Sequence, residues 1–322
     1  MLTRRDVIKG VLAMGALAPL TFSPILQAAT KLPGNRSGGF YAMQFGEFKL
    51  TALSDGIQHL PLEKLLTHTS PDYVRWALKQ ESIPTPVPVS TNSFLLETGS
   101  RRVLIDTGAG SLLKDDIGHL VSSLRSSGYT PEQVSDVVIT HMHVDHVGGL
   151  VNSGAMSFPN AQLHISRTEY EHWLDPAKRA VAVESQQETF TKSPEMIAPY
   201  KQAGRLQLAE SGDTLMPGVT LISRPGHTPG SLEIKVESRG QTIMFLGDML
   251  HSEQVQFSDP SIAFTYDENE SAAVASRRAV FAEAAKNGYW IAFAHVSFPG
   301  IGHIRPRGDS YVWIPVTYGV DV

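Results

Sequence analysis

Between Thr140 and Gly149 the chain reads THMHVDHVGG, so His141, His143, Asp145 and His146 fall within six residues. The run that leads into them, Asp136 to Thr140, is DVVIT, an apolar stretch of strand length that reads as a buried strand. A cluster this polar cannot follow the strand into a core. The chain must therefore build a sheet and set the cluster just past a strand end, where α/β proteins place functional residues. His141 and His143 are i and i+2, so on an extended strand end both imidazoles point the same way. Asp145 and His146 follow as the backbone turns, and Gly148 and Gly149 allow a close approach as the next segment begins. Imidazole with carboxylate is a ligand set that suits zinc, manganese or iron.

Three later positions share this context. His227 in RPGHTPGS, Asp248 in FLGDML and His295 in FAHVSFPG each follow an apolar run and sit beside glycine or proline. With the first four they make seven candidate ligands, enough for two metal ions. Short β-like runs at 45–53, 93–97 and 102–106 precede the cluster, and others at 220–223, 231–237 and 241–246 follow it. Leu112, Leu113, Ile117, Leu120, Val121 and Leu124 predict a helix over 111–127, and a second helix is expected over 270–286, ending at Gly288. The proline-studded segment 83–89 is expected on the surface, neither helix nor central strand. Each half runs strands, then helix, then a strand ending in histidine. The expected class is α/β (α+β), a four-layer αββα sandwich.

The 322 residues contain no cysteine, so nitrogen and oxygen ligands alone are available for any metal. A formal charge of −5 and a pI near 6.2 give no basic footprint, which excludes nucleic acid as an expected partner. Arg4 and Arg5 begin a twin-arginine pattern, followed by an apolar run from Val11 to Leu20 and small residues at Ala28 and Ala29. Residues 1–29 are thus expected to be a twin-arginine-type signal peptide, 30–39 a linker, and 40–322 a single domain. Three cationic side chains and one anionic one leave with the signal, taking the formal charge from −5 to −7. The expected location is periplasmic or secreted, with no stable membrane insertion once the signal is removed.

The motifs LIDTGAG, THMHVDHVGG, GHTPG, LGDML and AHVSFPG together resemble the metallo-β-lactamase superfamily. More narrowly, LTALSDG, YTPEQVSDVVITHMHVDHVGGL, VQFSDPS and HVSFPGIGHIR resemble the methyl parathion hydrolase branch, with its lactone- and arylester-cleaving relatives. The resemblance implies the αββα sandwich, a homodimer and a binuclear centre of two divalent metal ions, zinc first, with manganese, cobalt or iron as alternatives. His141, His143 and His227 would hold the first metal; Asp145, His146 and His295 the second; Asp248 would bridge them. A metal-bridging hydroxide would attack the substrate, with Asp145 orienting it. Asp106 would brace the histidine-rich loop through hydrogen bonds, and His303 is placed beside the site or in a structural role.

By motif register the leaving-group side of the substrate pocket falls on Leu113, Trp173 and Phe190, and Tyr266 joins them as a candidate. His251, three residues past Asp248, stands where lactone-cleaving relatives often carry tyrosine and methyl parathion hydrolase carries an aliphatic residue. It can donate a hydrogen bond or protonate a leaving alkoxide, so it is expected to favour lactones or esters. The resulting expectation is an exported hydrolase of lactones or aryl esters, a small-molecule enzyme. The alternatives are phosphotriester hydrolysis and a non-catalytic metal-binding protein. A β-lactamase and a redox enzyme fit the ligand set less well.

Overall fold

In the computed structural model, residues 38–114 and 116–318 are described. The expected signal peptide and most of the expected linker lie outside them. Among the described residues, two seven-stranded sheets dominate. The first runs, neighbour to neighbour, Phe40–Phe45, Phe48–Leu60, Val87–Thr98, Arg101–Ile105, Asp136–Val138, Gln162–Ser166 and Leu206–Ala209. Its first four strands pair antiparallel and the later neighbours parallel. The second runs Thr214–Met216, Val219–Ser223, Leu232–Ser238, Gln241–Phe245, Trp290–Ala292, Ile301–Arg307 and Ser310–Pro315.

Strand alternation explains why the chain needs continuous apolar runs. Phe94, Leu96, Val103, Ile105 and Val138 of the first sheet pack against Val219, Leu221, Ile234, Ile243 and Phe245 of the second. Their neighbours Leu95, Leu104 and Val137 face the other way, onto the helices Leu120–Ser126, Arg167–Trp173 and Glu184–Gln202. Met244 and Ile291 likewise meet Val280, Phe281 and Ala284 of the helix Glu270–Asn287. Because successive side chains leave opposite faces, a strand between two apolar layers must be apolar throughout. The layers are therefore helix, sheet, sheet, helix.

Two local expectations fail for physical reasons. The helix expected over 111–127 is confined to Leu120–Ser126. Upstream, the buried carboxylate of Asp55 accepts from the N–H groups of Ala109 (2.8 Å), Gly118 (3.1 Å) and Leu120 (2.9 Å), fixing the segment as a loop. Gly118, at φ +88°, cannot continue a helix backward, and a Cβ there would sit 2.0 Å from Gly110 O. The proline-rich 83–89 segment also does more than skirt the surface, since its end enters the strand Val87–Thr98 with Val87 and Val89 buried. Pro88 lies opposite His59, while pairing with Arg101–Ile105 begins only at Phe94. That stretch has a sheet neighbour on one side only, the setting in which a missing N–H is tolerated.

This topology collects the polar strand ends. Gln241–Phe245 and Trp290–Ala292 are parallel. Val219–Ser223 is antiparallel to a strand that is itself antiparallel to Gln241–Phe245. The segments carrying His227, Asp248 and His295 thus leave the second sheet at one end.

Candidate metal centre

That end meets the loop after Asp136–Val138. His141 Nε2 lies 3.1 Å from His143 Nδ1, and His227 Nε2 lies 3.0 Å from the same atom. Asp248 Oδ2 completes the group, 3.5 Å from His141 Nε2 and 3.3 Å from His227 Nε2. The other carboxylate oxygen serves a second cluster, with Asp248 Oδ1 2.9 Å from His146 Nε2 and 3.1 Å from His295 Nε2. Asp145 Oδ2 stands 3.4 Å from His295 Nε2. All seven candidate ligands are brought together, His141, His143 and His227 with Asp248, and Asp145 with His146 and His295, which Asp248 Oδ1 also faces. His251 forms a third group with Asp248 and His295.

The donor set fits divalent cations. Metal–nitrogen bonds of about 2.0–2.1 Å place tetrahedral ligand atoms about 3.3 Å apart, and the spacings above scatter around that value. His146 Nε2 and Asp248 Oδ1 are buried and make no hydrogen bond, although buried polar atoms ordinarily find a partner. A cation held by both would supply it.

The far edges of the rings are fixed. A carboxylate can only accept, so the imidazole N–H must sit on the nitrogen facing it. His146 Nδ1 donates to Asp106 Oδ2 and His227 Nδ1 to Asp267 Oδ1, each at 2.8 Å. His295 Nδ1 donates to Ser90 O at 2.9 Å. In each case Nε2 is left to turn its lone pair inward. Asp106 also accepts from Thr140 N and Thr140 Oγ1, both at 2.8 Å, and so ties the loop to the end of its own strand.

The electrostatics show a centre that draws positive charge. Burial holds His141 down to about 4 and His143 well below its ordinary value. Burial opposes protonation of His227 and His295 too, yet Asp248 and Asp267 lift His227 to about 9, and Asp248 and Asp145 lift His295 to about 10. His146 rises well above its usual value, against burial, through Asp248, Asp106 and Asp145. Asp145 and Asp248 resist the upward push of burial and lie well below the ordinary carboxylate range, because imidazoles surround them. Protons on these imidazoles answer the same carboxylate charge that divalent cations would neutralise.

Residues 86–300 match the metallo-beta-lactamase superfamily. The chain belongs to that superfamily. An N-acyl homoserine lactonase of Bacillus thuringiensis is 28% identical over 192 residues, covering 53% of this chain and 68% of that protein. The crystal structure of hydrolase AbOPH, in the beta lactamase superfamily, superposes with a TM-score of 0.85 at 37% identity, over 88% of this chain and 100% of that one. AidC, a dizinc quorum-quenching lactonase, superposes with a TM-score of 0.82 at 25% identity, over 88% and 99%. As a metallo-beta-lactamase superfamily member with such relatives, the protein is a metal-dependent hydrolase.

The superfamily's site opens here into a cavity of about 170 Å³, lined among others by Leu60, Leu113, Phe264 and Tyr266 on its apolar walls and by Gln58, Glu188 and His251. Of the residues expected at the substrate pocket, Leu113, His251 and Tyr266 line this cavity. Trp173 and Phe190 do not. They are 1% and 3% exposed and belong to the apolar layer under the first sheet, where an aromatic pair at 4.6 Å fills space that a cavity would leave empty. Trp173 touches the centre only from behind, edge-on to His143 at 5.6 Å. His303 is also displaced from the site. From the strand Ile301–Arg307 it donates through Nδ1 to Tyr289 O at 3.0 Å and lies over Trp290, away from the ligand loops.

Some of the residues that matter carry no motif. Gln58 Nε2 donates to Asp145 Oδ2 at 2.8 Å, from near the end of a strand that reads as ordinary alternation. Phe264 stacks on His251 at 3.8 Å, and His251 Nε2 lies 3.2 Å from Asp248 Oδ2. Burial holds His251 down to about 4, so near neutral pH it is an uncharged imidazole.

Proposed function

We propose that this hydrolase opens lactones or aryl esters at a two-cation centre held by His141, His143, Asp145, His146, His227, Asp248 and His295, with phosphotriester hydrolysis as the alternative or side activity. One observation carries the reading: the two oxygens of Asp248 face two separate clusters of nitrogen lone pairs. Two divalent cations held there, zinc first, would supply water acidified toward neutral pH and polarisation of the carbonyl or phosphoryl oxygen under attack.

The remaining work falls to side chains. Asp145, fixed by the Gln58 amide, orients the attacking water and keeps an acceptor oxygen on the cavity side. Asp106, Asp267 and Ser90 O keep His146, His227 and His295 from rotating. His251 lines the cavity beside Asp248 with its single N–H on Nε2 toward Asp248 Oδ2, so it serves a leaving oxygen by turning that N–H from the carboxylate to the substrate. With Trp173 and Phe190 withdrawn into the core, Phe264 and Tyr266 are the aromatic walls left to meet a substrate. Known lactonases among the relatives weigh toward the lactone reading.

Elemental analysis followed by assay on a lactone, an aryl ester and an aryl phosphotriester tests the proposal. Two metal equivalents per chain and a lactone-to-phosphotriester ratio above one are expected, and absence of stoichiometric metal would end the reading. The substitution His251→Leu should lower lactone turnover by about 10-fold, the worth of one hydrogen bond, and spare or raise phosphotriester turnover. The opposite pattern removes His251 from its role. Export by the twin-arginine-type segment and assembly as a homodimer belong to the same proposal. Fractionation of the producing cell and solution mass measurement test them.

A further inference from the structure

Glu169 follows Ser166 by three residues, the spacing of a helix capping box, and Ser166 Oγ does accept from Glu169 N at 3.4 Å. The carboxylate itself goes elsewhere. It is wholly buried and turns toward the first cluster of nitrogens. Oε1 accepts from Met142 N (2.8 Å) and Trp173 Nε1 (2.7 Å), and Oε2 from Gly230 N (2.9 Å), while the Thr228 hydroxyl also bonds to this carboxylate.

These partners belong to both loops of the first cluster. Met142 sits between His141 and His143; Thr228 follows His227, and Gly230 lies three residues beyond it. The second loop is pressed against the helix that carries Glu169, since a Cβ on Gly230 would come within 2.2 Å of Glu169 N. Ser193 Oγ donates to Met142 O at 2.5 Å, so the backbone between the two histidines is gripped on both sides. The second cluster is braced by other groups: Gln58 on Asp145, Asp106 on His146 and Ser90 O on His295.

We infer that Glu169 is the positioning residue of the first cation site, one carboxylate that sets the distance between the loop of His141 and His143 and the loop of His227, and that the second site is set without it. The inference rests on the ligand assignment proposed above. The chemistry is specific to a carboxylate. Every partner donates, and two acceptor oxygens receive them. A glutamine of the same shape turns an amide N–H toward a backbone N–H, leaving buried donors facing each other and driving the loops apart.

The test is a cobalt(II) titration of the full-length, metal-stripped protein, followed by the ligand-field absorbance of each site and by competition with a chelator. His141→Ala and His146→Ala serve as references that assign the two phases. Glu169→Gln should weaken the first site by about 10–100-fold, the usual effect of losing an outer hydrogen-bond partner, and change its absorbance band, while the second site keeps wild-type affinity. Trp173→Phe, which removes the indole donor and leaves a smaller aromatic ring in its place, should shift the first site in the same direction by less and stands in if Glu169→Gln does not fold. Two unchanged affinities, or an equal fall at both sites, would overturn the inference. A wild-type protein that takes up no cobalt instead overturns the ligand assignment beneath it.

Discussion

The two halves of the centre are braced from different parts of the molecule. Asp145, His146 and His295 lean on Gln58, Asp106 and Ser90, which lie within or directly after strands of the first sheet. His141, His143 and His227 depend on Glu169 and Ser193, from helices, and on Asp267, from an irregular segment before the helix Glu270–Asn287. Strand ladders fix their residues through many backbone bonds, so the second cluster inherits the stiffness of a sheet. The first cluster is only as well placed as a few side-chain bonds allow. The difference teaches that two cations held there would not have to share one affinity, although both would face Asp248.

The substitution that should erase the difference has the largest effect. Asp248→Ala removes the oxygens facing both groups and leaves the imidazoles without the carboxylate between them. Both cations should be lost together, and kcat/KM should fall by roughly 10³-fold or more, since metal ions supply several kcal/mol of transition-state stabilisation. Metal analysis after dialysis, beside a rate measurement on the best ester, checks it. Retention of one tightly bound equivalent would mean that the halves are more independent than the shared carboxylate implies.

What was legible in the sequence follows the same division. The ligands could be read because each follows an apolar strand and sits beside glycine or proline, a pattern the strand period enforces. The layer order was legible for the same reason, although the run 45–53 straddles the turn between the strands Phe40–Phe45 and Phe48–Leu60. The braces were not. Gln58 occupies an ordinary position in a strand, Asp267 sits among polar loop residues in TYDENE, and the Ser166–Glu169 spacing describes a cap while concealing where the carboxylate points. Trp173 and Phe190 show the reverse error. Their register suits a pocket, but register does not say on which face of a helix a ring is needed, and the layer under the first sheet needed filling. The missing half of the helix over 111–127 depends on Asp55, more than fifty residues earlier, which no local pattern reports.

A paired experiment sharpens the comparison. Asp106→Ala frees His146 Nδ1 and the Thr140 backbone N–H, whereas Asp267→Ala frees His227 Nδ1 and the Phe264 N–H, which donates to Asp267 Oδ2 at 2.9 Å. Each should cost about 10–100-fold in affinity, at the second and first site respectively. Cobalt binding read phase by phase distinguishes them. Asp267→Ala should also disturb the wall carrying Phe264 and raise KM, which Asp106→Ala should not. Identical phase behaviour in the two variants would remove the division between the halves.

The smallest expected effect lies at the start of the strand that leads to the centre. Asp136 accepts from Arg101 Nε (3.1 Å) and Nη2 (2.5 Å), from Ser135 Oγ (2.8 Å) and from His164 Nε2 (3.0 Å), none of which faces the cations. Burial would raise its carboxyl, but the bonds from His164, Arg101 and Ser135 outweigh it and bring the value down to about 2. A folded value below the ordinary 3.8 means that the stabilisation is complete above about pH 4 and fades as the pH falls toward 2. Asp136→Asn should therefore lower unfolding stability by about 2 kcal/mol near neutral pH. The gap from wild type should narrow between about pH 4 and 2, as denaturant titration across that range would show. Both cobalt affinities should stay at wild-type values, because this buried carboxylate grips the far end of the strand and holds no loop of the centre. A fall in either affinity would mean that strain introduced at that distance reaches the ligands, and that the stiffness credited to the sheet is not enough to insulate them.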